Sequence, residues 1–268
     1  MLYPEKETDV SYRFLYALVD GLPASTCLIG GWAVYYTVRA AYRRDLGADY
    51  LGSRDIDFGL RDVTAFKKAE RFIEDTLGFR RVSFRYLKHL EYETGRELSE
   101  EEARRLPAHD TIPMYIDLIL PSADQATSEV LGFAPADEPL LARVFEEKGG
   151  MRGVPIGTRR VRVPNPALLL SMKLHSVGDR GTDHKRVKDL CDIAALALYS
   201  GEGIGDLARV AGRLCDPARI EKGAKCISSS DMDQAASAAA IPIDRMRRVM
   251  DRLGLRPMAT DVHGGQER

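Results

Sequence analysis

Asp55 and Asp57 stand two residues apart in Ser53-Arg54-Asp55-Ile56-Asp57-Phe58, and a third acid, Asp117, lies within Tyr115-Ile116-Asp117-Leu118. Residues two apart on a β-strand project from the same face. Asp55 and Asp57 can therefore bring two carboxylates to one divalent ion, with Asp117 completing the set from a neighbouring strand. Three carboxylates on a sheet face make a hard oxygen-ligand site. Magnesium suits it, because that ion accepts carboxylates together with substrate phosphates and retains waters. A two-ion arrangement would stabilise both the attacking and the leaving oxygen of a phosphoryl transfer. Gly30-Gly31 supplies a matching part at the start of a helix, where bare backbone N–H groups approach phosphate oxygens with the positive end of the helix dipole behind them. Ser53 can donate a further hydroxyl.

Particular elements must hold these residues. Val10, Phe14, Leu15, Leu18 and Val19 fall on one helical face over residues 9–20, and Gly21 and Pro23 stop that helix. Thr26 to Ile29 has strand composition and runs into Gly30-Gly31, after which Trp32 to Arg44 reads as a helix. Ile56, Phe58 and Leu60 alternate with Asp55, Asp57 and Gly59, the period of a strand with one apolar face. Residues 64–76 read as a helix and Phe79 to Leu87 as extended chain. Ser99 with Glu102 forms a capping-box signature for a short helix in an exposed, charged insertion. Met114 to Leu120 is a strand with Asp117 on the face of Tyr115 and Ile119.

Residues 149–165 are rich in glycine, proline and arginine, which marks a domain boundary, and everything beyond them reads as helical. Asn165 as cap and Pro166 at the first position open a helix to about Ser176, and a second spans 183–199. More helices follow to about Leu253, where Gly254 stops the last. The tail from Met258 to Arg268 lacks apolar periodicity and is expected to fray.

A chain of 268 residues exceeds one ordinary domain, and two modest ones would nearly fill it. With 39 basic against 40 acidic residues, no global field points to nucleic acid or a membrane, although a local basic groove can still exist. Cys27, Cys191, Cys215 and Cys226 lie far apart without zinc-ligand spacing, and read as reduced, mostly buried thiols. The N-terminus carries charge where a signal peptide needs an apolar stretch, and no run approaches the roughly 18 apolar residues of a membrane span. A cytoplasmic location is the expectation.

Alone, an Asp-x-Asp is common in exposed strands, and a Gly-Gly is usually just a turn. Their order here makes a compound pattern. Ile29-Gly30-Gly31-Trp32, the stretch from Ser53 to Phe58, and Tyr115 to Leu118 resemble the core motifs of the DNA polymerase β-like nucleotidyltransferase superfamily. Met172-Lys173-Leu174, followed by Lys188-Asp189-Leu190-Cys191-Asp192-Ile193, resembles the lysine and Lys-Asp-x-x-Asp motifs of AbiEii-type nucleotidyltransferases, which include toxins of toxin–antitoxin systems.

The resemblance spans roughly residues 26–198. It implies an α+β fold: a mixed-sheet catalytic domain with flanking helices over residues 1–160, then an all-helical domain over 161–268 that completes the cleft for NTP and acceptor. It also implies magnesium on Asp55, Asp57 and Asp117, with Asp117 as candidate general base. Lys173 would neutralise triphosphate charge, and Asp189 would support the site from the helical domain. Gly30, Gly31, Ser53, Lys173 and Asp192 would form the nucleotide-binding set. One departure stands out: the stretch between Gly31 and Asp55 is wider than the family's usual spacing, through a long helix or an added loop at 45–52.

Simpler readings exist for several residues. Lys185 and Asp189 are four apart and can form a surface pair worth about half a kcal/mol. Asp192 can merely orient neighbouring basic groups, and Lys173 can be the polar edge of a packed helix. His175 and His184 are left out as surface histidines near helix ends. Arg39, Arg43 and Arg44, or Arg159, Arg160 and Arg162, can contact phosphates of an RNA acceptor or simply face solvent. Arg245, Arg247, Arg248 and Arg252 have the same two readings.

The leading expectation is magnesium-dependent transfer of a nucleoside monophosphate from an NTP to a hydroxyl acceptor, with tRNA first in line and an antitoxin partner encoded separately. One alternative moves the nucleotide to a small molecule or a protein side chain. Another is a non-catalytic nucleotide-binding module, against which three mutually repelling carboxylates count.

Overall fold

The computed structural model describes residues 2, 4–181 and 183–256, so the expected fraying from Met258 onward lies outside the described residues. Helix α1 (Glu5–Gly21) leads to β1 (Thr26–Ile29), α2 (Gly30–Leu46), β2 (Ile56–Leu60) and α3 (Val63–Arg71), which continues as a π-helical turn over Phe72–Thr76. Next come β3 (Arg80–Val82), β4 (Arg85–Glu91), β5 (Glu97–Leu98), α4 (Glu100–Arg105), β6 (Thr111–Leu120), α5 (Gln125–Leu131), β7 (Ala136–Asp137) and α6 (Leu140–Glu146). A hairpin of β8 (Met151–Ile156) and β9 (Arg159–Pro164) follows. Beyond it the elements are helical: α7 (Pro166–Val177), α8 (Asp183–Tyr199), α9 (Ile204–Leu214), α10 (Pro217–Cys226), α11 (Ser229–Ala238) and α12 (Ile243–Arg252). The class is α+β, with helices gathered in the C-terminal part.

Local chemistry explains the ends that matter. Asn165 accepts a hydrogen bond from the Leu168 amide at 2.9 Å, and Pro166 takes the first position of α7. Ser99 and Glu102 close the expected capping box on α4. The wide interval after Gly31 is filled in two ways. Helix α2 runs to Leu46 and ends at left-handed Gly47, and irregular chain over 48–55 then buries Tyr50.

Residues 79–87 are not the single extended run that their composition suggests. The chain reverses at Ser83 and Phe84, so that β3 and β4 pair antiparallel with Val82 opposite Arg85. Ser83 takes a φ of 60° there, a conformation usually left to glycine or asparagine. With neither residue at the turn, the reversal carries no compositional mark.

The main sheet has the order β1-β2-β6-β4-β3, with β5 on β4 and β7 on β6. Strand β2 runs parallel to β6 and antiparallel to β1, and β4 runs antiparallel to β6. One row across the sheet is therefore Ile29, Asp57, Asp117 and Arg85. Beneath it, a contiguous apolar core joins Leu15, Trp32, Phe58, Ile116 and Leu118 to Leu190, Ile193 and Met250. Full burial of each such aliphatic or aromatic side chain contributes about 1.5–3 kcal/mol. Helix α8 packs on α2 as well as on α7 and α11, so shared packing holds the helical elements against the sheet.

Candidate active site

The register brings the three acids together. Asp57 on β2 lies directly beside Asp117 on β6, and Asp55 sits just before β2 at the same edge of a cleft of about 220 Å³. Gly30 begins α2 with a φ of +64°, and a Cβ there would stand 1.9 Å from Asp57 Oδ2. Both the backbone conformation and the packed carboxylate thus demand glycine. A Cβ on Gly31 would meet Ser53 Oγ at 2.8 Å, which fixes how closely the 53–55 segment approaches the helix start. No side chain caps the first turn of α2, so its amides remain available toward the cleft that Gly31 lines.

Arg85 completes the row and was not identifiable from the acid pattern. Its Nε donates to Asp117 Oδ1 at 2.7 Å and its Nη2 to Asp55 Oδ2 at 3.0 Å, while the guanidinium lies 4.2 Å from the Tyr115 ring centre. Burial works against its charge, yet the two carboxylates more than offset that and strengthen its hold on the proton. Burial, and then the charges of Asp117 and Asp55, push the Asp57 carboxyl up to about 7. Burial also raises Asp117 despite the pull of Arg85.

The opposite wall is built by α7 and α8. Lys173 Nζ lies 2.8 Å from Asp189 Oδ1 and 2.8 Å from Asp192 Oδ2, the second an ion pair without hydrogen-bond geometry. Asp189 also accepts from Arg180 Nε at 2.6 Å and Ser176 Oγ at 3.0 Å. Burial opposes its ionisation, but Lys173 and Arg180 prevail and hold Asp189 at about 2. Asp192 accepts from Tyr50 at 2.7 Å and from Lys188 one helical turn earlier. Lys173 is therefore engaged by carboxylates, and Arg180, Lys185 and Lys188 join it in lining the cleft opposite the acids. Asp189 draws its partners from Lys173, Ser176 and Arg180 rather than from Lys185. The spacing of Lys188 to Asp192 was legible as a helical pair; Arg180, in the link before α8, carried no such mark.

Several expected features lie outside this site. Cys27, Cys191 and Cys215 are buried thiols, whereas Cys226 is exposed. His175 is buried on α7 with its Nδ1 3.5 Å from Glu138, not a surface residue. Arg159 pairs with Asp20 and Arg162 donates to the Ala24 carbonyl, which ties β9 to the end of α1 and the start of β1. Arg245 pairs with Asp45, joining α12 to α2. Among the described residues no helix is long and apolar enough to cross a membrane.

The family described as nucleotidyl transferase AbiEii toxin, type IV toxin–antitoxin system, matches residues 52–259. The chain belongs to that family. It is accordingly a nucleotidyltransferase of a type IV toxin–antitoxin system, with an NTP substrate and an antitoxin partner. A crystal structure of an antigenic nucleotidyltransferase-like protein from Paracoccidioides brasiliensis is similar at 15% identity and a TM-score of 0.41, with 94% of each chain covered. No curated protein sequence matches this AbiEii-family chain.

The acids of this AbiEii-family site fit a hard divalent ion. Asp55 Oδ1 is buried without a hydrogen-bond partner, with Arg54 Nε 3.9 Å away. A cation, the Arg85 guanidinium, already bridges the outer two carboxylates. As placed around that guanidinium, no three His, Cys, Asp or Glu side chains among the described residues form a ready-made metal cluster.

Proposed function

We propose that the protein is magnesium-dependent and transfers a nucleoside monophosphate from an NTP to a hydroxyl acceptor, tRNA being the first to test. The observation that carries this reading is the side-by-side register of Asp57 and Asp117 across a cleft from the cations of α7 and α8. Residues 1–160 supply the acids and residues 161–268 the basic wall, in a cytoplasmic protein.

In this reading Asp55, Asp57 and Asp117 hold magnesium, which when bound offsets charge on the triphosphate and on the attacking oxygen. Lys185, Lys188 and Arg180 face the β- and γ-phosphates, with Lys173 behind them, while the amides of Gly30-Gly31 and the Ser53 hydroxyl approach from the helix start. The acceptor oxygen bonds to the α-phosphorus as the bond to the bridging oxygen breaks, and pyrophosphate leaves. Asp117, whose proton affinity is raised by burial, takes the hydroxyl proton once Arg85 has turned away from it.

Purified protein, magnesium, each labelled NTP in turn and total tRNA provide the test. Label should enter tRNA with one or more NTPs, and Asp57→Ala should lower the rate at least about a hundredfold. No label with any NTP, and no difference from Asp57→Ala, would remove the RNA reading. The near-zero net charge favours a second acceptor class, a small hydroxyl compound, which the same assay addresses by replacing tRNA.

A further inference from the structure

A second cavity, of about 610 Å³, opens between α1, α2 and the 49–52 link. Its wall is aromatic. The Tyr12 and Trp32 ring centres are 5.4 Å apart, as are those of Trp32 and Tyr35, and the indole is pinned by its hydrogen bond to Ser11 Oγ at 2.8 Å. Arg39 lies at the rim with its guanidinium carbon 5.9 Å from the Tyr35 ring centre, and Arg43 is held there by Asp49. Asp9 supplies a further carboxylate.

This cavity and the carboxylate cleft are lined by adjacent residues of the same two segments. Gly31 and Ser53 line the cleft, and their chain neighbours Trp32 and Gly52 line the aromatic cavity. The two cavities thus flank the same two chain segments, the start of α2 and the 52–53 link. The half-buried rings of Tyr12 and Tyr35, backed by the buried Trp32, offer stacking, carboxylates accept hydrogen bonds from exocyclic amines, and Arg39 can meet a phosphate. That combination recognises a nucleobase joined to its phosphate; carboxylates at the wall disfavour a bare polyphosphate or an acidic peptide.

We propose that the aromatic cavity is a nucleobase site serving nucleotidyl transfer, an inference that rests on the function proposed above. The base belongs either to the NTP or to the end of a polynucleotide acceptor. Trp32 is the one tryptophan of the chain and lines this cavity, so its emission reports on binding here, and substitutions in the cavity wall separate that from an effect relayed from the cleft beside Gly31. The test titrates the full chain, without divalent ion, with each NTP and separately with a short oligoribonucleotide bearing a free 3′ hydroxyl. A saturable change in Trp32 emission is expected, with the midpoint moved about tenfold by Tyr35→Ala. Arg39→Ala should weaken it severalfold and spares the ring wall, which keeps the test readable if Tyr35→Ala unfolds. A response to NTP alone assigns the donor base, a response to the oligonucleotide alone assigns the acceptor base, and a response to both assigns a site that either enters. No saturable change with any probe, or a midpoint that neither substitution moves, would overturn the proposal. Binding without transfer to any acceptor would instead count against the function above and leave only the cavity's nucleobase binding standing.

Discussion

Arg85 clamps Asp55 to Asp117: one guanidinium spans both carboxylates, at 3.0 and 2.7 Å. A monovalent cation thus stands between two acids that the proposed chemistry assigns to magnesium. The two cations compete for the same oxygens. Arg85→Ala should therefore lower the magnesium concentration needed for half-maximal thermal stabilisation. It should also destabilise the metal-free protein by about 2–3 kcal/mol, the low end for a buried pair because the Arg85 side chain is 21% exposed. Thermal melts across a magnesium series read both effects. An unchanged magnesium midpoint would show that the guanidinium and the ion do not share a position.

Asp57 makes a prediction about pH. Its carboxyl titrates at about 7 in the folded chain, through burial first and then Asp117 and Asp55, against about 3.9 when unfolded. The folded state therefore keeps this proton longer as pH rises, and stability falls between about 4 and 7 as a half-buried carboxylate beside two others is forced to ionise. Asp57→Asn removes that fall. Relative to the native protein without metal, the variant should melt at the same temperature near pH 4 and higher at pH 8, by roughly 2–4 °C for each kcal/mol relieved. Magnesium should raise the native protein's melting temperature more than the variant's. A variant that melts lower than the native chain at pH 8 would contradict the sign.

Gly30 and Gly47 bracket the same helix and separate site geometry from backbone strain. Both have positive φ, but a Cβ on Gly30 would strike Asp57 Oδ2, whereas one on Gly47 would meet nothing within 4 Å. Gly47→Ala should cost about 1 kcal/mol and leave transfer intact. Gly30→Ala should displace Asp57 and lower transfer at least about a hundredfold, even under conditions where the protein remains folded. Comparable activities for the two variants would show that the contact between Gly30 and Asp57 does not position the acid.

The contrast between Asp57 and Arg85 shows how much was legible in the sequence. Period-two alternation places Asp57 and Asp117 on strand faces, and the Gly-Gly turn fixes where α2 begins, so the acid edge of the cleft follows from local rules. Arg85 reaches the same row only through the β3–β4 reversal at Ser83 and Phe84, a turn without glycine, proline or asparagine. Register between distant strands, not spacing along one, puts it beside Asp117. The basic wall divides likewise: Lys188 and Asp192 announce themselves one turn apart on α8, but Lys173 meets them only because α7 and α8 pack together. Tyr50 explains the long interval before Asp55, since the irregular link that buries it also delivers its hydroxyl to Asp192.

Lys173 and Asp189 pose the question of whether the charged wall serves stability or chemistry, and a double substitution separates the two. The pair is deeply buried, with side-chain exposures of 9% and 1%. Removing one partner leaves the other's buried charge less well matched, Asp189 keeping Arg180 and Ser176 and Lys173 keeping Asp192, so Asp189→Leu or Lys173→Met alone should cost about 3 kcal/mol, the low end for a buried pair. Acid should reveal the same interaction in the native chain. With Asp189 held at about 2 when folded and about 3.9 unfolded, its contribution is complete above pH 4 and disappears as pH falls toward 2. The double variant Lys173→Met with Asp189→Leu leaves less unmatched: Asp192 keeps Lys188 and Tyr50 on Oδ1 and loses only the cation at Oδ2, and Arg180, 33% exposed, can turn to solvent. It should recover at least about 1–2 kcal/mol over the weaker single variant in urea titrations. Transfer should nevertheless stay at least about a hundredfold low, because the wall keeps its net charge but lacks the Lys173 ammonium at its fixed position in the cleft. Recovery of transfer together with stability would reduce Lys173 to a packing role and leave Lys185, Lys188 and Arg180 as the groups that meet the nucleotide.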